Sequence, residues 1–146
     1  MPSVEYTLDP ARIDAVAAHA FLVDCYWSRG IPLSTVRRAI DHSICVAALL
    51  HGRQIAFARL VTDRATFAYL ADVYVLPDHR GQGISKRMLQ TLFEHPDVQG
   101  LRRLLLVTRD AHRLYQQFGF QSLASPAGFM EKHNPHVYQS ANIGGG

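Results

Sequence analysis

Apolar positions change their spacing several times along the chain, and each change marks an element. Residues 4–8 alternate and stop at Asp9-Pro10, which predicts a short strand closed by a turn. Ile13, Val16, Ala17, Ala20 and Phe21 then recur at helical spacing, predicting a helix to about Asp24 with that stripe turned inward. Gly30 and Pro32 break it, and Ser34 is placed to cap a second helix with Val36, Ala39 and Ile40 inside. The unbroken apolar run at residues 44–50 reads as a buried strand. His51-Gly52-Arg53 is short enough for a hairpin that returns residues 54–61 antiparallel to it. Asp63 to Ala65 makes the next reversal. Residues 66–75, rich in aromatic and β-branched side chains and stopped by Pro77, form the longest strand candidate. Ile84, Met88, Leu89, Leu92 and Phe93 make an amphipathic helix that ends at His95-Pro96. A buried strand at 101–107, a short helix at 111–118 and a further strand beginning at residues 120–123 complete the pattern.

The order β-α-α-β-β-β-α-β-α-β sets three antiparallel strands before a β-α-β crossover, and a crossover makes part of the sheet parallel. The expectation is an α/β fold of the α+β kind, a central twisted mixed sheet flanked by helices. With 146 residues, 48% apolar and 18% charged, residues 1–140 suffice for one domain, and residues 141–146 read as a flexible tail. The formal charge is +3, spread along the chain without a basic block, so a nucleic-acid partner is not expected. Cys25 and Cys45 belong to no paired motif, which argues against a disulfide framework. The N-terminus lacks a leader pattern and no apolar run has membrane-spanning length, giving the expectation of a cytoplasmic protein without a membrane partner.

Candidate chemistry begins after the longest strand, in Val73 to Ser85. Gly81 and Gly83 let the backbone come close to a ligand, and the helix start after them presents unpaired amides and a positive dipole end to phosphate oxygens. Arg80 adds a guanidinium suited to paired bonds with phosphate, while Ser85 and Lys86 add a hydroxyl and a cation. An ordinary strand-to-helix turn explains the glycines equally well. The third glycine of a dinucleotide fingerprint and the Gly-Lys-Ser/Thr of a Walker loop are both missing.

Arg80-Gly81-Gln82-Gly83-Ile84-Ser85 resembles motif A of the GNAT superfamily of acyl-CoA-dependent N-acyltransferases, Gln/Arg-x-x-Gly-x-Gly/Ala, with Ser85 at the small last position. Residues 111–120 resemble motif B, Ala-x-x-Leu-Tyr-x-x-x-Gly-Phe, through Ala111, Leu114, Tyr115, Gly119 and Phe120. The resemblance spans residues 4–131 and is weakest in the first two helices. It implies acetyl-CoA as co-substrate, held at the pyrophosphate by the loop and by Ile84, Ser85 and Lys86 of the helix start. Its pantetheine arm would lie along the backbone of Val73, Tyr74 and Val75. Thr108 stands where many relatives carry an Asn that contacts CoA; alternatively Thr108 or Asp110 caps the next helix.

The resemblance also implies that Tyr115 is the proton donor to the CoA sulfur; the alternative is a tyrosine on the packed side of its helix beside Leu114 and Phe118. Asp72 is either a general base or the partner of a nearby arginine. Tyr26, Trp27 and Arg29, between the first two helices, form an aromatic wall beside a cation, or Trp27 plugs the core. Phe129, Met130 and Tyr138 are further contributors from the C-terminal side. A metal site at His133 to His136 is not expected. The resulting expectation is direct transfer of an acetyl group to a primary amine of a small molecule in a ternary complex, with a homodimer as a further option. Its rivals are an acyl-CoA-binding sensor without catalysis and an acetyltransferase acting on a protein or aminoacyl-tRNA amine.

Overall fold

The structure is a computed structural model that describes residues 3–139. Its elements are β1 (Glu5–Thr7), α1 (Ala15–Leu22), α2 (Leu33–Asp41), β2 (Ile44–Leu50), β3 (Arg53–Thr62), β4 (Phe67–Val75), α3 (Ile84–Phe93), β5 (Arg103–Leu106) and α4 (His112–Gln116). The five strands lie side by side in chain order, antiparallel from β1 to β4 and parallel between β4 and β5. The mixed, helix-flanked sheet is thus the one read from the sequence. The proposed tail, residues 141–146, lies outside the described residues.

Both faces of the sheet are covered, which is why β2 is a continuous apolar run and the middle of β3 is buried residue after residue instead of alternating. Ile44, Val46 and Ala48 of β2 share a core with Ile84, Met88, Leu89 and Leu92 of α3. Cys45, on the opposite face, joins Phe57 and Tyr74 under Ala18 and Leu22 of α1 and Val36 of α2. His51 and Gly52 both take positive φ (53° and 77°) in a two-residue loop closed by the Leu50–Arg53 pair, the hairpin geometry that suits strand twist.

Three local expectations are corrected. In α1 the buried positions are Ala18 and Leu22, while Val16 is exposed, so the inward stripe is rotated from the one expected. The helix is apolar around most of its circumference, and spacing alone does not fix its phase. Pro32, not Ser34, occupies the start of α2, and no side chain caps that end. Proline is suited to a helix start because its missing N–H would be unpaired there anyway. The strand expected at residues 120–123 does not form: those residues belong to no ladder, and a strand exists only with a neighbour to pair with.

The β3–β4 turn is organised by Asp63, whose carboxylate accepts from the amides of Ala65, Thr66 and Phe67 at 2.9, 2.8 and 3.2 Å. The Thr66 hydroxyl adds a fourth bond at 2.6 Å, and these donors hold the Asp63 pKa well below the usual carboxylate value. A depressed folded pKa contributes stability that is complete above the unfolded value, about 4, and is lost as pH falls below it. Asp63→Asn is therefore expected to lower the urea midpoint at pH 7, with the gap to the parent narrowing below about pH 4.

Candidate active site

The site is built where β4 and β5 part. They pair only from Phe67 opposite Arg103 to Leu70 opposite Leu106; beyond Leu70, residues 71–75 of β4 run on without β5. Backbone groups on that side of β4 are left facing a cleft of about 390 Å³, within the usual size for a small-molecule site. Val73, Tyr74 and Val75 form one wall of the cleft, and Ala111, Leu114 and Tyr115 of α4 and its approach form the other. A bulge accentuates the split. Phe57 pairs with Tyr74 and Arg59 with Ala71, so Ala58 opposes both Asp72 and Val73. Asp72 takes φ 56°, a conformation Asp tolerates better than most residues, and a bulge leaves backbone outside the ladder.

The turn after β4 forms the floor. Gly81 and Gly83 have φ 77° and 76°, values that favour glycine at both places. Gly83 begins α3, and no side chain caps that end, leaving the first amides of a ten-residue helix free to bind an anion. Arg80 donates from Nε to the Val75 carbonyl at 2.9 Å, anchoring its guanidinium beside this helix start. The cleft lining includes Arg80, Gly81, Gly83, Ile84 and Ser85, but the Ile84 side chain is buried in the core and only its backbone is available. Gln82 and Lys86 are exposed and outside the lining.

Tyr115 is only 7% exposed, with its ring edge-on to Phe120 at 6.1 Å, yet it borders the cleft. Burial, with a smaller contribution from Asp110, raises its pKa, so it is protonated at neutral pH and able to give up a proton. Cys25, which also lines the cleft, and buried Cys45 are pushed up by burial to about 11 and about 12, so both are thiols and weak nucleophiles at neutral pH.

Tyr26 and Trp27 of the lining belong to a connected set of side chains whose other members, Asp72 among them, lie outside the lining. The Asp72 carboxylate accepts from Arg59 Nε at 2.8 Å and from Trp27 Nε1 at 3.0 Å, and Arg59 also reaches the Ser43 hydroxyl at 3.3 Å. Trp27 meets Tyr26 edge-on at 5.1 Å, and the Arg109 guanidinium lies 3.7 Å above the Tyr26 ring. The α1–α2 loop carrying these aromatics is itself held, by the buried Ser28 hydroxyl donating to Leu22 O at 2.7 Å. At the start of α1, Asp14 caps the helix through the Ala17 amide and is clasped at its backbone by the buried side chain of Gln54.

The profile of the Acetyltransferase (GNAT) family matches residues 15–120, which takes in the split strands, the turn and α4. The chain belongs to the GNAT family of acetyltransferases. A GNAT-family acetyltransferase structure from Xanthomonas campestris pv. campestris is 48% identical, covering 94% of this chain and 98% of that one with a TM-score of 0.90. A protein of Gibberella zeae assigned as an acetyltransferase is 33% identical over 130 residues, 73% of this chain and 72% of that one. An acetyltransferase from Clostridium acetobutylicum, solved with acetyl-CoA, shares the fold at 20% identity with a TM-score of 0.63, covering 91% of this chain and 96% of that one.

Among the residues singled out from sequence, the structure of this GNAT protein brings Val73, Tyr74, Val75, Arg80, Gly81, Gly83, Ser85, Tyr115, Tyr26 and Trp27 to one cleft. Trp27, 44% exposed, is part of the wall and does not plug the core. Arg29 is exposed and outside the cleft; the cation beside the aromatic pair is Arg109, also exposed and outside the lining but stacked on Tyr26 from the loop before α4. Thr108 lines a neighbouring groove and accepts the Ala111 amide at 3.1 Å, just ahead of α4, whose start has no side-chain cap. Phe129 also lines that groove, Met130 is exposed, and Tyr138 packs against the α1–α2 core. Sequence reasoning missed Arg109, Arg59 and Gln54 because each acts through a partner far away in the chain. No helix among the described residues is long and apolar enough to cross a membrane.

Proposed function

We propose that the protein transfers an acetyl group from acetyl-CoA to a primary amine of a small molecule, by direct attack within a ternary complex. One observation carries the proposal: the free edge of β4 past Leu70, the uncapped start of α3 beside Arg80, and Tyr115 all face the same cleft. The residues present suit the co-substrate. Arg80 and the amides at the start of α3 would take the pyrophosphate, the edge of residues 71–75 the amide-rich arm, and Tyr115 the proton demand of the departing thiolate. A thiol held near pKa 11 in the cleft supports direct attack over an acyl-cysteine route.

Arg80→Ala is expected to raise KM for acetyl-CoA by roughly 10–100-fold, the loss of one or two charge-assisted bonds, with kcat little changed. Steady-state kinetics at saturating amine measure this. On the acceptor side, Arg109 spends the face of its guanidinium on Tyr26 and keeps its edge for a ligand, which favours amines that also carry a carboxylate or phosphate. Arg109→Gln is expected to raise KM about 10-fold for such an amine and to leave a neutral amine of the same length unaffected. Equal losses for both amines would remove Arg109 from acceptor recognition.

A further inference from the structure

We propose that Phe21 of α1 sets the length of the acyl group that the cleft accepts, selecting short donors by closing the end where that group lies. The inference rests on the acetyl-transfer reading for the position of the thioester. The cleft passes through the sheet from one face to the other. Tyr115 belongs to the core shared with α3, whereas Phe21, Cys25 and Tyr74 belong to the core beneath α1 and α2, and all four line the same cleft. A thioester with its sulfur beside Tyr115 at the free edge of β4 therefore carries its acyl group between the parted strands toward α1.

On the α1 side the lining has two parts. Tyr26 and Trp27 are 57% and 44% exposed, so the amine reaches the carbonyl past them from solvent. Phe21 and Cys25 are half-buried, which leaves the enclosed part to the acyl chain, the substituent that needs no path to solvent. In the transfer the amine nitrogen bonds to the carbonyl carbon as the C–S bond breaks. Tyr115 protonates the departing thiolate, and the surplus proton of the nitrogen passes to solvent. The acyl chain stays against the same wall throughout, so its fit is felt in the transition state as well as on binding.

That wall is braced from behind. The Phe21 ring lies flat on Tyr74, with centroids 4.1 Å and planes 9° apart, and Tyr74 is backed at 6.0 Å by the fully buried ring of Phe57. The Cys25 thiol donates to the Phe21 carbonyl at 3.4 Å, tying the chain after α1 to the same residue. The start of α1 is fixed to β3 by the bonds of Gln54 to the Asp14 backbone. A close-packed wall of this kind discriminates by roughly 10–200-fold per methylene.

Thiol release at a fixed amine, with acetyl-, butyryl- and hexanoyl-CoA as donors, tests this in the parent, Phe21→Leu and Phe21→Ala. Isothermal titration of the same thioesters is the second readout. The parent is expected to lose at least about 10-fold in kcat/KM from acetyl- to butyryl-CoA, and more to hexanoyl-CoA. Phe21→Leu should raise the butyryl-to-acetyl ratio of kcat/KM by at least about 10-fold, and Phe21→Ala should extend the gain to hexanoyl-CoA. Leucine keeps an apolar side chain on Tyr74, so at least this variant should fold, as circular dichroism would verify. If no amine yields thiol, the transfer reading fails and titration alone decides: weaker binding of hexanoyl- than of acetyl-CoA by the parent, equalised in Phe21→Leu, would still support the gate. Equal kcat/KM for all three donors in the parent, or a preference for acetyl-CoA that survives in Phe21→Leu, would overturn the role of Phe21 while leaving acetyl transfer standing.

Discussion

Replacing Tyr115 with phenylalanine is expected to slow acetyl transfer by roughly 10²–10⁴-fold, the usual worth of a positioned acid, while leaving acetyl-CoA affinity nearly unchanged. The ring is buried against Phe120 and belongs to the larger core, so Phe keeps the packing and removes only the oxygen. The amine can still attack, but the thiolate must then leave without a donor beside it. The raised pKa sets a second signature, because the alkaline limb of the parent's rate profile should lie above the ordinary tyrosine value of about 10 and disappear in the variant. An unaltered kcat would make Tyr115 a packing residue alone.

Asp72→Ala is expected to be the most damaging single change to the site's architecture. Removing one partner of a buried ion pair costs about 3–5 kcal/mol, and here the figure is nearer 2–4 because Asp72 and Arg59 keep 12% and 19% of their side-chain surface in water. Alanine also fits the positive φ of the bulge less well than Asp. The loss would spread outward: Arg59 loses its carboxylate, and Trp27 loses the acceptor of its indole N–H. Trp27 is the single tryptophan of the chain, so a red shift in intrinsic fluorescence reports its release directly. Asp72→Asn separates positioning from base catalysis. A positioning residue predicts less than about a 10-fold fall in kcat with an unchanged acid limb of the pH profile, whereas loss of a general base costs 10²-fold or more.

The elements that position the site were legible because each leaves a local mark. The run at β2, the aromatic strand that becomes β4, and the stripe of α3 follow from periodicity, and the turn at Gly81 and Gly83 needs positive φ at both glycines. What periodicity could not supply was anything decided by a distant partner. The phase of α1 depends on which side meets Phe57 and Tyr74. The partner of Asp72 was left open between catalysis and an arginine, and only the bulge brings Arg59 and Trp27 onto its two oxygens. Arg29 sits nearer to Trp27 in sequence than Arg109 does, but the α1–α2 loop turns Arg29 outward and the loop before α4 folds Arg109 over Tyr26. The strand expected at residues 120–123 had a suitable pattern and no neighbour, and pairing cannot be read from one segment alone.

The most direct test of acetyl transfer is a thiol-release assay with acetyl-CoA and a panel of primary amines spanning amino acids, polyamines, aminoglycosides and peptides, with acceptor acetylation followed by mass spectrometry. The expected result is thiol appearing in step with one N-acetylated product per acetyl-CoA consumed, fastest for a small amine carrying an anionic group. Saturable acetyl-CoA binding without thiol release for any amine would contradict it, leaving an acyl-CoA-binding module in place of an enzyme.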